Sequence, residues 1–322
     1  MHTPQFLQLH QHDAAGQAAE AISGLLATPA HVSPKFLYDA LGSRLFEAIT
    51  VLDEYYPTRT EAAILQQQLP AIRSAVRAGF GPAGPSALVD LGAGNCAKAA
   101  SLFTALAPQR YVAVDISVDF LHQALGQLQL QHPALDMVGV GLDFSADLAL
   151  PPGVVNGPAL VFYPGSSIGN FQPGHALRLL RQARALAQGG ALLIGVDLVK
   201  PAHVLEPAYD DGLGVTAAFN LNLLKHLNRL LGSDFEVRDW RHVALFNTAL
   251  SRIEMHLEAR RALTVRWPGG PRVFAAAERL HTENSYKWRP VDFAALLRDA
   301  GFTQITTWTD PQDWFAVLLA EG

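Results

Sequence analysis

Residues 88–98 read LVDLGAGNCAK, an apolar run ending in an acid, followed by glycines at 92 and 94 and by Lys98. Glycines there let the backbone turn tightly and let a ligand approach with no Cβ in the way. The third glycine of a G-x-G-x-x-G pattern is missing, because position 97 is Ala. Taken alone, the stretch also reads as a structural tight turn. Spacing adds to it. Asp115 closes the next apolar run, 23 residues after Gly92, where a carboxylate can accept from both hydroxyls of a ribose. Its plainer reading is a cap on the following helix. Asp143 and Phe144 close a third run. There an acid can accept from an adenine amine while a ring packs on the base, or the chain simply passes from strand to loop. No cluster of Lys and Arg accompanies these residues as a phosphate cradle, and Lys98 can instead meet a carboxylate. The chemistry suits an adenosine without a diphosphate.

Such residues need strand ends to hold them. ALVDL (87–91), YVAVD (111–115), MVGVGLD (137–143), ALVFYP (159–164) and ALLIGVD (191–197) are short, apolar and β-rich, and helical stretches at 96–106, 117–130 and 173–187 separate them. Alternating βαβ units with nearly all-apolar strands predict a parallel sheet covered on both faces. Before it, helices are expected at 14–27, at 36–49 and at 60–78, the last after Pro57 and capped by Thr58 or Thr60. After Pro201 the rhythm changes. Residues 205–232 read as one or two helices with Thr216 as a capping candidate, and 235–246, 251–260 and 262–266 alternate like antiparallel strands. RVFAAAERLHTENSYKW carries no clear period. A helix at 290–300 then leads to ITTWTD and WFAVLLAE, a hairpin around PQD.

An open parallel sheet that ends in a helix and a hairpin, with one strand antiparallel, is the arrangement of class I S-adenosylmethionine methyltransferases. A nicotinamide dehydrogenase has no reason to end this way. The expected fold class is therefore α/β: a Rossmann-like class I sheet with a C-terminal antiparallel hairpin, plus a second α+β domain. Residues 61–199 and 287–322 are expected to form the cofactor domain. Residues 1–60 and 200–286 are expected to form the substrate domain, covering the sheet edge where ligands bind. Lys98 then meets the carboxylate of the cofactor's methionine part.

Composition narrows the partners. The 322 residues are 49% apolar and 16% charged, with a net charge of −5, so nothing electrostatic argues for nucleic acid or an anionic membrane surface. The single cysteine, Cys96, allows no intrachain disulfide and fits a reducing cytoplasm. The start lacks a basic segment followed by an apolar one, so a signal peptide is not expected. The twelve histidines show no HExxH and no paired Cys/His spacing, so no metal is expected. His10 and His12 read as part of a tail. A small-molecule partner is expected, with no membrane and no obligate protein partner.

Several stretches, in order from about residue 33 to the C-terminus, resemble one family. FLYDALGSRLFEAITVLDEYYPTRTEAAIL, LVDLGAGNCAKA, YPGSSIGNF, AYDDGLGVTAAFNLNLL, RIEMHLEA and HTENSYKW are similar to the histidine Nα-methyltransferases of ergothioneine biosynthesis. The EYYPTR and IGNF pieces are specific to that family, whereas the glycine turn is shared by methyltransferases generally. The resemblance implies a two-domain enzyme. It would methylate L-histidine three times to its trimethyl betaine, hercynine, turning S-adenosylmethionine into S-adenosylhomocysteine without a metal. It implies that Tyr38 and Tyr55 line the substrate site and that Asn170 holds the amino and carboxylate groups. Tyr209 would bind the carboxylate, Met255 would form a wall, and Glu283 with Ser285 would read the imidazole. It assigns Gly92, Lys98, Asp115, Asp143 and Phe144 to the cofactor. Around Lys98 the loop is less polar here than the family pattern.

The residue types agree with that chemistry. In-line displacement at a sulfonium needs a neutral amine near the methyl carbon, and orientation with exclusion of water can supply most of the barrier reduction. Tyr38 and Asn170 are the candidate catalytic residues. Asn170 offers a donor and an acceptor to a zwitterionic end, and aromatic faces such as Tyr38 and Tyr55 tolerate a methylated ammonium. The amine proton can leave to solvent, to Tyr38 or to a carboxylate. Glu283 can accept from one imidazole N–H, and the Ser285 hydroxyl can donate or accept. An indole leaves such a match unmade, at roughly 1–3 kcal/mol per unpaired buried group. The alternatives are the same transfer to another amine such as tryptophan, or a non-catalytic protein that binds S-adenosylmethionine.

Overall fold

A computed structural model describes residues 2–9 and 14–322. The tail read at His10 and His12 lies outside the described residues. In chain order the strands are β1 (Gln5–Gln8), β2 (Ala87–Leu91), β3 (Arg110–Asp115), β4 (Asp136–Gly141), β5 (Ala159–Tyr163) and β6 (Ala191–Asp197). There follow β7 (Trp240–Asn247), β8 (Arg252–Ala259), β9 (Leu263–Trp267), β10 (Gly270–Phe274), β11 (Arg279–Tyr286), β12 (Gln304–Thr309) and β13 (Phe315–Glu321). The chain divides into two units. One comprises Met1–Gln11, Pro57–Val199 and Lys287–Gly322, and the other His12–Tyr56 with Lys200–Tyr286.

The first unit is built on a sheet of order β1-β4-β3-β2-β5-β6-β13-β12. β1 to β6 pair in parallel, and β13 enters antiparallel between β6 and β12. This is the class I methyltransferase sheet. The apolar runs are continuous because both faces are covered. Leu88, Leu160, Leu193 and Leu319 enter one core, and their neighbours Val89, Val161, Leu192 and Leu318 enter the other. Strand order reverses between β2 and β5, which opens a crevice at their C-terminal ends.

The structure corrects several expectations. The first residues, expected in the substrate domain, join the other unit: Gln5–Gln8 extends the large sheet, with Gln5 opposite Val138 and Gln8 opposite Gly141. QFLQ is too short to show a period. It is held by Phe6, which stacks on His122 at 3.5 Å and lies where a Cβ on Gly139 would come within 2.6 Å. The helix expected at 60–78 is two, Tyr56–Gln67 and Leu69–Phe80. Pro57 and Pro70 each sit in a first turn, where a missing N–H breaks no helical bond. The long helix Val215–Leu231 is capped by Asp211 and not by Thr216. The Asp211 carboxylate accepts from the amides of Val215 and Thr216 at 3.0 and 2.7 Å.

The second unit holds a three-stranded antiparallel sheet of order β11-β8-β7, a ribbon of β9 and β10, and helices that include Ala14–Leu26, Ala40–Ile49 and Val215–Leu231. The stretch without a clear period, HTENSY, lies in β11. A bulge interrupts its pairing: His281 lies opposite His256, but Glu283 lies opposite Met255. The extra residue is Thr282, whose hydroxyl donates to the Met255 carbonyl at 3.0 Å. Strand alternation then puts Glu283 and Ser285 on the face of Ile253 and Met255. The opposite face carries Arg252, Glu254, His256 and His281. There Glu254 accepts from Arg252, Asn247 and His256 at 2.8, 3.0 and 3.1 Å. Among the described residues no helix is long and apolar enough to cross a membrane.

Burial, and then the neighbouring His256, pushes His281 down to about 4. An unfolded histidine takes its proton near 6.5, so unfolding takes up a proton between those values. Stability therefore falls as pH falls from 6.5 to 4, by about 3 kcal/mol from this group. Urea titrations at pH 7 and pH 4 test this. His281→Leu is expected to lose less stability than the wild type over that interval. An equal loss in both proteins rejects the assignment.

Candidate active site

The glycine turn follows β2 directly. Gly92 and Gly94 have φ of 72° and 52°, a region that a Cβ disfavours. The Gly94 amide donates to Asp115 at 2.8 Å, and the Ser117 amide donates to the other carboxylate oxygen at 2.8 Å. The bonds match the plainer of the two sequence readings of Asp115: it closes the turn and holds the segment entering the next helix, and a carboxylate with four lone-pair positions keeps acceptor capacity. Burial raises its pKa and the backbone donors oppose the rise. Above the turn the space is open. A Cβ on Gly92 would meet nothing nearer than Phe144 at 3.9 Å. Phe144 stands edge-on to Tyr163 at 5.8 Å, and Asp143 accepts from the Ser145 amide at 3.1 Å. An open floor of glycine, a ring beside it and two acids at strand ends fit an adenosine.

Beneath the turn Asp90 is buried and accepts from the Tyr111 hydroxyl at 2.7 Å. Burial pushes its pKa to about 7. Burial likewise pushes the Cys96 thiol up to about 12, so it is no nucleophile at neutral pH.

Lys98 has a partner that the sequence did not disclose. Its ammonium pairs with Glu61 at 2.5 Å, and Glu61 is 1% exposed. The Glu61 carboxylate also accepts from the Gly165 amide, at 2.8 and 3.0 Å to its two oxygens. Gly195 in β6 makes room for it, since a Cβ there would lie 1.9 Å from a Glu61 oxygen. Two signals were available: an acid inside EYYPTRTEAAIL, and a glycine inside the apolar run ALLIGVD. Lys98 therefore reaches the site already compensated, with further N–H donors for a ligand carboxylate. Gly165 opens the turn that leads to Asn170, the last residue of the short helical turn Ser167–Asn170. Ser166 accepts from the Asp197 amide at 2.8 Å, which ties that turn to the end of β6.

The other candidates lie in the second unit. Tyr38 stands edge-on to Phe46 at 5.6 Å and to Phe219 at 5.5 Å. Phe46 meets Tyr55 at 6.2 Å, and Tyr55 meets Tyr209 at 6.1 Å. The rings form one connected wall. Sequence reading missed Phe46 and Phe219, because each sits on an amphipathic helix and reads as core. The Tyr209 and Ser285 hydroxyls are 2.8 Å apart. The Tyr209 carbonyl accepts from His242 Nε2 at 2.7 Å, and Asn220 donates to His242 Nδ1 at 2.9 Å. Those partners hold His242 neutral, in line with its burial-lowered pKa. One unit thus gathers Gly92, Gly94, Lys98, Asp115, Asp143 and Phe144 and carries Asn170. The other gathers Tyr38, Tyr55, Tyr209, Met255, Glu283 and Ser285.

The model of the histidine-specific, S-adenosylmethionine-dependent methyltransferase family matches residues 17–322. The chain belongs to that family. It is 41% identical to the histidine N-alpha-methyltransferase of Mycolicibacterium smegmatis, over 98% of this chain and 99% of the relative. It is 39% identical to that of Mycobacterium tuberculosis, over 97% of both chains. It is 30% identical to ergothioneine biosynthesis protein 1 of Neurospora crassa, over 91% of this chain and 33% of that longer protein.

In this histidine-specific methyltransferase the candidate cofactor residues sit at strand ends and turns of the large sheet. Among the described residues no three His, Cys, Asp or Glu side chains gather to hold a metal ion. Glu61 is the buried knot between the glycine-turn segment and the turn after β5. Glu61→Gln presents an amide NH2 to one of two donors, losing a hydrogen bond to a charged group worth about 1.5–3 kcal/mol. It is expected to weaken S-adenosylhomocysteine binding about 10–100-fold by calorimetry with the circular dichroism spectrum unchanged. Gly195→Ala, which displaces the same carboxylate, should act in the same direction. Unchanged affinity in both variants overturns the role.

Proposed function

We propose that the chain transfers three methyl groups from S-adenosylmethionine to the α-amino group of L-histidine, giving hercynine, the first step of ergothioneine biosynthesis. The observation that carries this reading is the near full-length similarity to the two mycobacterial enzymes. The face of the bulged strand pair, which groups Met255, Glu283 and Ser285, supports it.

When bound, S-adenosylmethionine supplies an electrophilic methyl carbon on sulfur. The chain's own work is to bind, orient and exclude water. We assign Asp115 to the ribose, Asp143 and Phe144 to the adenine, Gly92 and Gly94 to close backbone approach, and Lys98 to the methionine carboxylate. Asn170 orients the amino and carboxylate groups of histidine, with Tyr209 on the carboxylate. Tyr38 and Tyr55, extended by Phe46, offer aromatic faces to an amine that loses an N–H and gains bulk at each transfer. Such faces accept a quaternary ammonium, where an array of hydrogen-bond acceptors does not. Tyr38 and Asn170 are the residues placed at the reacting amine. Met255 walls the ring, and Glu283 with Ser285 reads its two nitrogens. The single cysteine and modest negative charge support a cytoplasmic enzyme that acts on a small molecule without nucleic acid, membrane or obligate protein partner.

Mass spectrometry of one reaction tests this, with S-adenosylmethionine and equal L-histidine and L-tryptophan. Histidine should gain three methyl groups while tryptophan stays untouched. Methylated tryptophan, or no methylated product, rejects the reading. Glu283→Ala should lower kcat/KM for histidine by about 5–150-fold, the equivalent of 1–3 kcal/mol, and narrow the preference over tryptophan.

A further inference from the structure

The contact between the Tyr209 and Ser285 hydroxyls constrains the protonation of the bound ring. They lie 2.8 Å apart, both residues are buried, and either oxygen can donate. Each hydroxyl owns one proton. In the proposed histidine site, on which this inference rests, Tyr209 serves the carboxylate and Ser285 the imidazole. Those two assignments are not independent. A phenol donates more strongly to a carboxylate than to a neutral hydroxyl, by about twofold. Once the Tyr209 proton goes to the substrate carboxylate, the phenol oxygen accepts from Ser285. The Ser285 proton is then engaged, and its oxygen faces the ring as an acceptor. Glu283, two residues along on the same face of β11, is an acceptor as well. A ring set between two acceptors is matched when both nitrogens carry hydrogen.

We propose that the Tyr209–Ser285 hydroxyl pair couples recognition of the substrate carboxylate to binding of the imidazole ring in its doubly protonated, cationic form. The surrounding charges agree. Glu283 is the acid on the ring's face of β8 and β11, beside Met255 and Ile253. β7 contributes His242, held neutral, with Asp210 3.9 Å from its Nε2. Asp211 is engaged by the amides of the long helix. The Tyr55 ring meets Tyr209, and Lys200 donates to the adjacent Tyr56 at 2.8 Å. Arg252, Glu254, His256 and His281 stand on the far face of the strand pair. A neutral ring would leave a bare nitrogen lone pair against an acceptor, whereas a cationic ring adds an ion pair with Glu283. Near neutral pH the ring takes its extra proton from solvent on binding, since a free imidazole titrates near 6.5.

Nitrogen-15 NMR of ring-labelled L-histidine, bound to the protein saturated with S-adenosylhomocysteine at pH 8, tests the proposal. The bound ring should show two similar, protonated nitrogens. A wide split, with one bare nitrogen, overturns it. Tyr209→Phe frees the Ser285 proton for the ring and should move the bound ring toward the neutral, split pattern. Two protonated nitrogens retained in that variant would assign the effect to Glu283 alone and reject the coupling. Failure of histidine to bind, together with no methylated histidine in the mass-spectrometric assay, would instead reject the histidine site itself.

Discussion

A carboxylate withdrawn from water costs several kcal/mol unless its charge and lone pairs are met. Glu61 is such a group, and the first unit is arranged around meeting it. An ammonium from the glycine-turn segment, an amide from the turn after β5 and the absence of a side chain at position 195 come from three distant places in the sequence. Two of them have a second part to play. Lys98 follows the turn that closes on Asp115, and Gly165 begins the turn that ends at Asn170. The Glu61 carboxylate therefore sets two turns on adjacent strand ends against one another. A site that relies on orientation more than on a nucleophile needs this kind of fixed backbone.

The second unit reaches the same end with a different device. An unbulged β11 would place Thr282 opposite Met255. The inserted residue moves Glu283 onto that face, and Thr282 ties the irregularity down through the Met255 carbonyl. The polar residues then separate. One face carries an ion and histidine cluster that satisfies itself, and the other carries Met255, Glu283 and Ser285. A bulge costs ladder hydrogen bonds. Here it buries a carboxylate beside apolar neighbours, where a ligand with matching N–H groups gains most from it.

Period and spacing made the buried strands legible in the sequence, because both faces of the sheet are covered and the apolar runs have sharp ends. The acids at those ends stood out for the same reason. QFLQ was not legible because four residues carry no period and its pairing depends on Phe6 meeting Gly139 across the sheet. β11 was not legible because one face is a polar cluster and the other holds Glu283 and Ser285, so no alternation survives. Phe46 and Phe219 were hidden by success of another kind: each fits the apolar stripe of its helix, and nothing local marks a ring as facing other rings. Glu61 needed partners at positions 98, 165 and 195, and such long-range pairing is invisible to local pattern.

Methylation of an α-amine asks for a lone pair at nitrogen, although near neutral pH the amine of free histidine is an ammonium and its ring is mostly neutral. In the proposed site the ring takes its extra proton from solvent, and the amine gives up one proton before each of the three transfers. The first reactive form then carries as many protons as free histidine does, one gained at the ring and one lost from the amine. On the same proposal the neutral amine would face aromatic rings, where a cation–π contact becomes available once the nitrogen is quaternary. The ring cation would face Glu283, a buried carboxylate. A tryptophan side chain cannot take that proton, so on this proposal it would offer Glu283 no cation.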